Sequence, residues 1–260
     1  MQFCNADGVT LHYTRRDGDV TRRPIVFLNS LGTDLRIWDD VLNYLPYDIP
    51  VLRMDKRGHG LSDVGPCSIP ALADDVASVM EAVGVGPSLI CGVSVGGLIA
   101  QQFALSHPDR VNGLVLSNTG AKIGSEEVWN PRIEAVRANG IQPIADAVLE
   151  RWFSRSFLQN ERAQVAGYRN MLCRTTAAGY ADVCAAIRDA DLRSAIGAIK
   201  VPTVCISGSE DLATPPDLLK ELSELIPGSD YQRIEGVGHI PSIEAPRTVA
   251  RIIMDAYGKI

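Results

Sequence analysis

Nowhere in the 260 residues does an apolar run approach the length needed to cross a bilayer, which argues against a membrane-spanning protein. The first residues, "MQFCNADGVTLHYTRRDGD", hold no apolar stretch between a basic start and a small-residue cleavage site, so a cytoplasmic protein is expected. Basic residues are in deficit: 25 Lys and Arg stand against 31 Asp and Glu, a formal charge of -6. A chain of that sign has no broad basic face with which to gather phosphates, which excludes general binding to nucleic acid or to an anionic membrane. Cysteines at metal or redox spacing are missing too. Cys4, Cys67, Cys91, Cys173, Cys184 and Cys205 are scattered, without a C-x-x-C pair or a His/Cys cluster that would hold a metal, and they read as free thiols. Histidine is scarce. Only His12, His59, His107 and His239 are available for imidazole chemistry.

What is present is enough apolar residue, 46% of the chain, to build one large core. Short apolar runs alternate with longer segments of helical period: "PIVFLN" (24–29), "PVLRMD" (50–55), "SLICG" (88–92), "GLVLSN" (113–118), "PTVCISG" (202–208) and "DYQRIEG" (230–236). Continuous apolarity suits strands covered on both faces, and the helical patterns between them supply the crossovers that a parallel sheet requires. The spacing therefore predicts an α/β fold with a mostly parallel central sheet flanked by helices. "VTLHYTRR" (9–16) alternates instead, and is expected to form an antiparallel hairpin edge with the residues before it. The strand rhythm stops between about residues 123 and 199, where "IADAVLERWFSRSF" and "AGYADVCAAIRDADL" repeat apolar residues three and four apart. The expected organisation is a core of residues 1–122 and 199–260, with 123–198 inserted as a helical cap.

One turn invites chemistry. In Gly92-Val93-Ser94-Val95-Gly96, a serine sits between an apolar strand and a helix, with glycines two positions before and two after. This is the G-x-S-x-G pattern, in which the serine takes a strained backbone and the glycines let strand and helix approach closely. A phosphate-binding loop would need Gly-Lys-Ser/Thr where Gly97-Leu98-Ile99 stands, and a dinucleotide fingerprint would need glycine in place of Ser94. The turn thus reads as the presentation of a nucleophile.

A serine hydroxyl needs a base within hydrogen-bond reach. His239, in "EGVGHIPSIEAP" just past the last predicted strand, is favoured; His59, in "DKRGHGLSD", is its rival, while His107 in "SHPDRV" ends a helix and reads as a cap. An acid must then hold the imidazole tautomer, and Asp211, in "SGSEDLATPP" after another strand, is placed for it, with Glu210 as the alternative. Serine, acid and histidine in that chain order match α/β-hydrolases rather than chymotrypsin-like or subtilisin-like enzymes. The oxyanion formed by attack on an acyl carbon needs N–H donors. Val95 at a helix start offers one and the loop "NSLGTDLRIWD" another, from Leu31 or, one residue either way, Ser30 or Gly32.

Taken together, "LNSLGTDLRIWD", "RMDKRGHGLSD", "CGVSVGGLIAQ", "LSNTGAKIG", "SGSEDLATPP" and "GVGHIPSIEAP" resemble the α/β-hydrolase superfamily and, more narrowly, the 3-oxoadipate enol-lactonases of aromatic catabolism. The resemblance implies an α/β-hydrolase fold, a triad of Ser94, Asp211 and His239, oxyanion donors at Leu31 and Val95, and no cofactor. It also implies a reaction, the opening of the 3-oxoadipate enol-lactone ring to 3-oxoadipate in the β-ketoadipate pathway. Such a substrate is a small anionic lactone whose carboxylate should meet a cation. The inserted segment offers Arg132, Arg137, Arg151 and Arg155 beside Trp129 and Trp152; Arg132, close after Trp129, is the preferred candidate, and the other arginines are expected mostly at the surface. Other readings of the same core are a carboxylesterase or lactonase acting on another small acid, a carbon–carbon bond hydrolase, or a receptor that keeps the hydrolase pocket to bind a small molecule.

Overall fold

The apolar runs become strands within a residue or two of their expected limits. A computed structural model describes residues 1–260. Its strands are β1 (Gln2–Ala6), β2 (Val9–Arg16), β3 (Ile25–Leu28), β4 (Val51–Met54), β5 (Ser88–Val93), β6 (Val111–Ser117), β7 (Thr203–Gly208) and β8 (Asp230–Ile234). They form one sheet in the order β1-β2-β4-β3-β5-β6-β7-β8, with the β1–β2 and β2–β4 pairs antiparallel and all others parallel. Every residue of β3, β5 and β7 is buried, as expected of strands covered on both faces, whereas the edge strand β8 is only half-buried.

The helices are α1 (Asp39–Leu42), α2 (Ile69–Ala82), α3 (Val95–Ser106), α4 (Glu126–Asn139), α5 (Ala145–Trp152), α6 (Arg155–Asn160), α7 (Arg162–Arg174), α8 (Ala177–Asp189), α9 (Pro216–Leu225), α10 (Pro241–Glu244) and α11 (Pro246–Tyr257). Ser68 starts α2 by accepting a hydrogen bond from the Ala71 N–H, an ordinary N-cap. No helix is long and apolar enough to cross a membrane, and all six cysteines are unpaired.

Two features position a site. The chain runs from β3 outward to β4 and then returns to place β5 on the other side of β3, so the loops after β3 and β5 diverge above the sheet. Such a switch point opens a crevice at the carboxyl ends of the strands. The second feature is the run of five helices, α4 to α8, between β6 and β7. Their apolar side chains, Trp129, Val148, Trp152 and Tyr180 among them, belong to the same hydrophobic cluster as the sheet. Backbone bonds tie them down as well: the His239 N–H donates to the Trp152 carbonyl (2.7 Å), and the Arg155 N–H to the Glu210 carboxylate (3.0 Å).

Candidate active site

The turn from β5 into α3 places Ser94 at φ 58°, ψ −122°, a conformation that costs a non-glycine residue about 1–3 kcal/mol. Neighbouring groups hold it there. The Ser94 N–H donates to the Ser117 carbonyl (2.9 Å), and the Ser94 carbonyl accepts from the Gly97 N–H (2.8 Å) and from the Thr119 hydroxyl (2.7 Å). The flanking glycines are required by contact. A Cβ on Gly92 would strike the Gly96 carbonyl, and one on Gly96 would strike the Leu28 carbonyl of β3.

Asp211 follows β7 and His239 follows β8, and the two meet: His239 Nδ1 lies 2.9 Å from Asp211 Oδ2, with both side chains buried. The other carboxylate oxygen accepts from the N–H groups of Ala213 (2.7 Å) and Thr214 (2.9 Å), while the Thr214 hydroxyl donates to Oδ2 (2.7 Å). A carboxylate is acceptor-only, so the proton of the imidazole sits on Nδ1 and the Nε2 lone pair is left free. Ser94 and His239 line one cavity of about 240 Å³, without a direct hydrogen bond between them; such bonds commonly tighten only when substrate is bound.

The rival residues are engaged elsewhere. His59 is fully buried, accepts from the Gly32 N–H at Nε2 (2.9 Å) and donates from Nδ1 to the Arg57 carbonyl (3.2 Å). Burial, reinforced by the charge of Lys56, holds it well below the usual imidazole range, as a neutral acceptor. His107 caps α3 and lies 3.1 Å from Asp74, and Glu210 turns toward the backbone of α6. His12 forms a second buried His–Asp pair with Asp55 (2.7 Å), outside this cavity.

Leu31 lines the cavity, and its N–H has no acceptor within the protein. Val95 is the first residue of α3; its side chain is buried away from the cavity, and the N–H at that position has no intrahelical acceptor. Trp129, Trp152 and Arg132 all line the cavity, the Arg132 guanidinium lying 5.2 Å over the Trp129 ring. Arg137 does not: it pairs with Asp182 (3.0 Å) at the surface, and the exposed Arg155 also lies outside.

The match to a family model described as alpha/beta hydrolase fold spans residues 23–246. The chain belongs to the α/β-hydrolase fold family. It is 34% identical to 3-oxoadipate enol-lactonase 2 of Acinetobacter baylyi over 93% of this chain and 91% of that protein. With 3-oxoadipate enol-lactonase 1 of the same organism it shares 33% over 97% and 94%. The crystal structure of the enol-lactonase from Burkholderia xenovorans superposes with a TM-score of 0.94 at 38% identity, covering 99% of this chain and 100% of that one. Family and relatives support a hydrolase activity.

Within this α/β-hydrolase, three residues at the cavity stand out beyond the preferred candidates. Arg151, one of the four arginines that the inserted segment offered, is exposed yet lines the cavity, and partial burial together with the like charge of Arg132 lowers its pKa. Tyr180 is buried against Arg132. Thr214 braces the Asp211–His239 pair, its hydroxyl 3.2 Å from His239 Nδ1. Its only sequence signal is the D-x-x-T spacing from Asp211, which places a hydroxyl one tight turn further on.

Proposed function

We propose that the protein is a serine hydrolase that opens the lactone ring of 3-oxoadipate enol-lactone to give 3-oxoadipate, a step of the β-ketoadipate pathway, in the cytoplasm. The observation that carries the reading is the pairing of two guanidiniums, Arg132 and Arg151, neither with a carboxylate partner, in the same small cavity as Ser94 and His239. Arg132 is half-buried, and a cation so placed without a counter-ion is costly unless a ligand supplies the charge; Arg151, though exposed, adds its charge at the same cavity, and arginine meets a carboxylate through two parallel bonds. Six unpaired cysteines fit a reducing compartment.

In this mechanism His239 Nε2 takes the proton of Ser94 as its oxygen attacks the ring carbonyl, and Asp211 stabilises the imidazolium. The N–H groups of Leu31 and Val95 stabilise the oxyanion. Collapse breaks the ring C–O bond; the enol oxygen leaves, receives the proton from His239 and the enol tautomerises to the ketone. Water, deprotonated by His239, then attacks the acyl-enzyme and releases the second carboxylate, returning the proton to Ser94. Helices α4 to α8 act as the cap that carries the carboxylate-binding groups.

Turnover of the enol-lactone against an uncharged aryl ester tests the substrate. A kcat/KM that favours the lactone is expected; a wide preference for the neutral ester would overturn the lactonase reading and favour a simple esterase. A serine-directed phosphonate should add its mass at Ser94, which a mere receptor would leave unmodified. Thr214→Val should lower kcat about fivefold with KM unchanged, the worth of one neutral hydrogen bond of about 1 kcal/mol to the acid.

A further inference from the structure

The loop after β4, which contributes nothing to the cavity lining, holds an unusual group. Lys56 is buried, only 5% exposed, yet no carboxylate bonds to it. The nearby acids are committed elsewhere. Asp34 is bidentate to Arg36, Asp75 is bidentate to Arg57, and Asp55 serves His12 and the N–H groups of Leu35 and Leu61. The Lys56 Nζ instead donates to two carbonyls of the loop after β3, Ser30 (2.5 Å) and Thr33 (3.3 Å). The Ser30 carbonyl also accepts from the Thr33 hydroxyl (2.9 Å) and the Thr33 N–H (3.3 Å).

The Ser30 carbonyl and the Leu31 N–H are the two ends of one peptide group. The structure contains no cis peptide, and in a trans peptide these ends point in opposite directions. A cation on the oxygen therefore turns the N–H away from Lys56 and draws electron density from the nitrogen, making it a stronger donor. One residue on, the Gly32 N–H is taken by His59 of the same β4 loop, whereas the Leu31 N–H, in a residue that lines the cavity, has no acceptor within the protein.

We infer that Lys56 is a positioning residue for the oxyanion site: through the Ser30 carbonyl it aims and strengthens the Leu31 N–H. This inference rests on the serine-hydrolase reading above. Stability gives no reason for the residue. Burial lowers its pKa to about 7, against the opposing pull of Asp55 and Asp34, so the fold disfavours its charge. Its surroundings are mostly apolar, Leu28, Met54, Leu72, Val76 and Ile99, with Asn29 and the Arg57-paired Asp75 beside them, so an apolar side chain of similar length can be packed there.

The test is Lys56→Met, with Lys56→Gln as a second variant that keeps a neutral donor. For Lys56→Met, kcat should fall about tenfold or more with KM within about twofold, and the thermal midpoint should be equal or higher. The rate at which a p-nitrophenyl alkylphosphonate labels Ser94 should fall by the same factor, because phosphonylation also builds charge on that oxygen. Lys56→Gln should lie between the two, and its kcat decides should Lys56→Met not fold. A kcat within about twofold of wild type in a folded variant, or a loss confined to KM, would overturn the inference. Wild-type protein that resists the phosphonate would overturn the serine-hydrolase reading instead, so the two failures are distinguishable.

Discussion

Ser94→Ala should lower kcat by roughly five to six orders of magnitude, since loss of the nucleophile of a serine triad removes nearly all turnover beyond that supplied by binding and the oxyanion donors. The fold should survive. The hydroxyl is not used to cap α3, and the bonds that hold the turn involve the Ser94 backbone, which alanine retains. Alanine is no better suited than serine to φ 58°, so the strain stays and the melting temperature should move by no more than a degree or two. Steady-state turnover of the enol-lactone and thermal denaturation of the same sample check both halves. Residual activity above about one per cent of wild type would remove Ser94 from the mechanism.

Arg132→Met should lower kcat/KM for the anionic lactone by about 10- to 150-fold, the equivalent of one charge-assisted contact of about 1.5–3 kcal/mol, while changing turnover of a neutral aryl ester by less than about twofold. Methionine fills much of the same volume, so the comparison isolates charge. Losing the cation over Trp129 costs stability by about 0.5–1 kcal/mol, which affects both substrates equally and drops out of their ratio. Arg151→Met should act in the same direction but less strongly, because water screens its exposed side. The double variant should fall short of the product of the two, since both guanidiniums face one cavity. Equal losses on the charged and the uncharged substrate would mean that Arg132 shapes the cavity rather than reading a carboxylate.

That Ser94, Asp211 and His239 come together in the candidate site could be anticipated from the chain because each is tied to a local constraint. Ser94 needs a positive φ between strand and helix, and only the glycines at 92 and 96 allow the contacts with the Gly96 and Leu28 carbonyls. Asp211 follows an apolar run that forms a fully buried strand and His239 follows the shorter, more polar edge strand, and parallel strands deliver their following loops to the same edge. The inserted helices are a different matter. Helical period shows that α5 is amphipathic, but its buried face meets partly the core and partly the cavity, so the period separates Arg151 from Trp152 without saying that both line the cavity. Thr214 and Lys56 escaped for another reason: their partners, Asp211 and the Ser30 carbonyl, are identified only by the distance across a turn or between two loops.

The bond from the His239 N–H to the Trp152 carbonyl ties the imidazole loop to the end of α5. A displacement of α5 would be passed through this bond to His239. In the mechanism proposed above, the residue that moves the proton and the helices that enclose the cavity are thus joined by one backbone hydrogen bond, so a substitution that shifts the end of α5 should be felt at the imidazole.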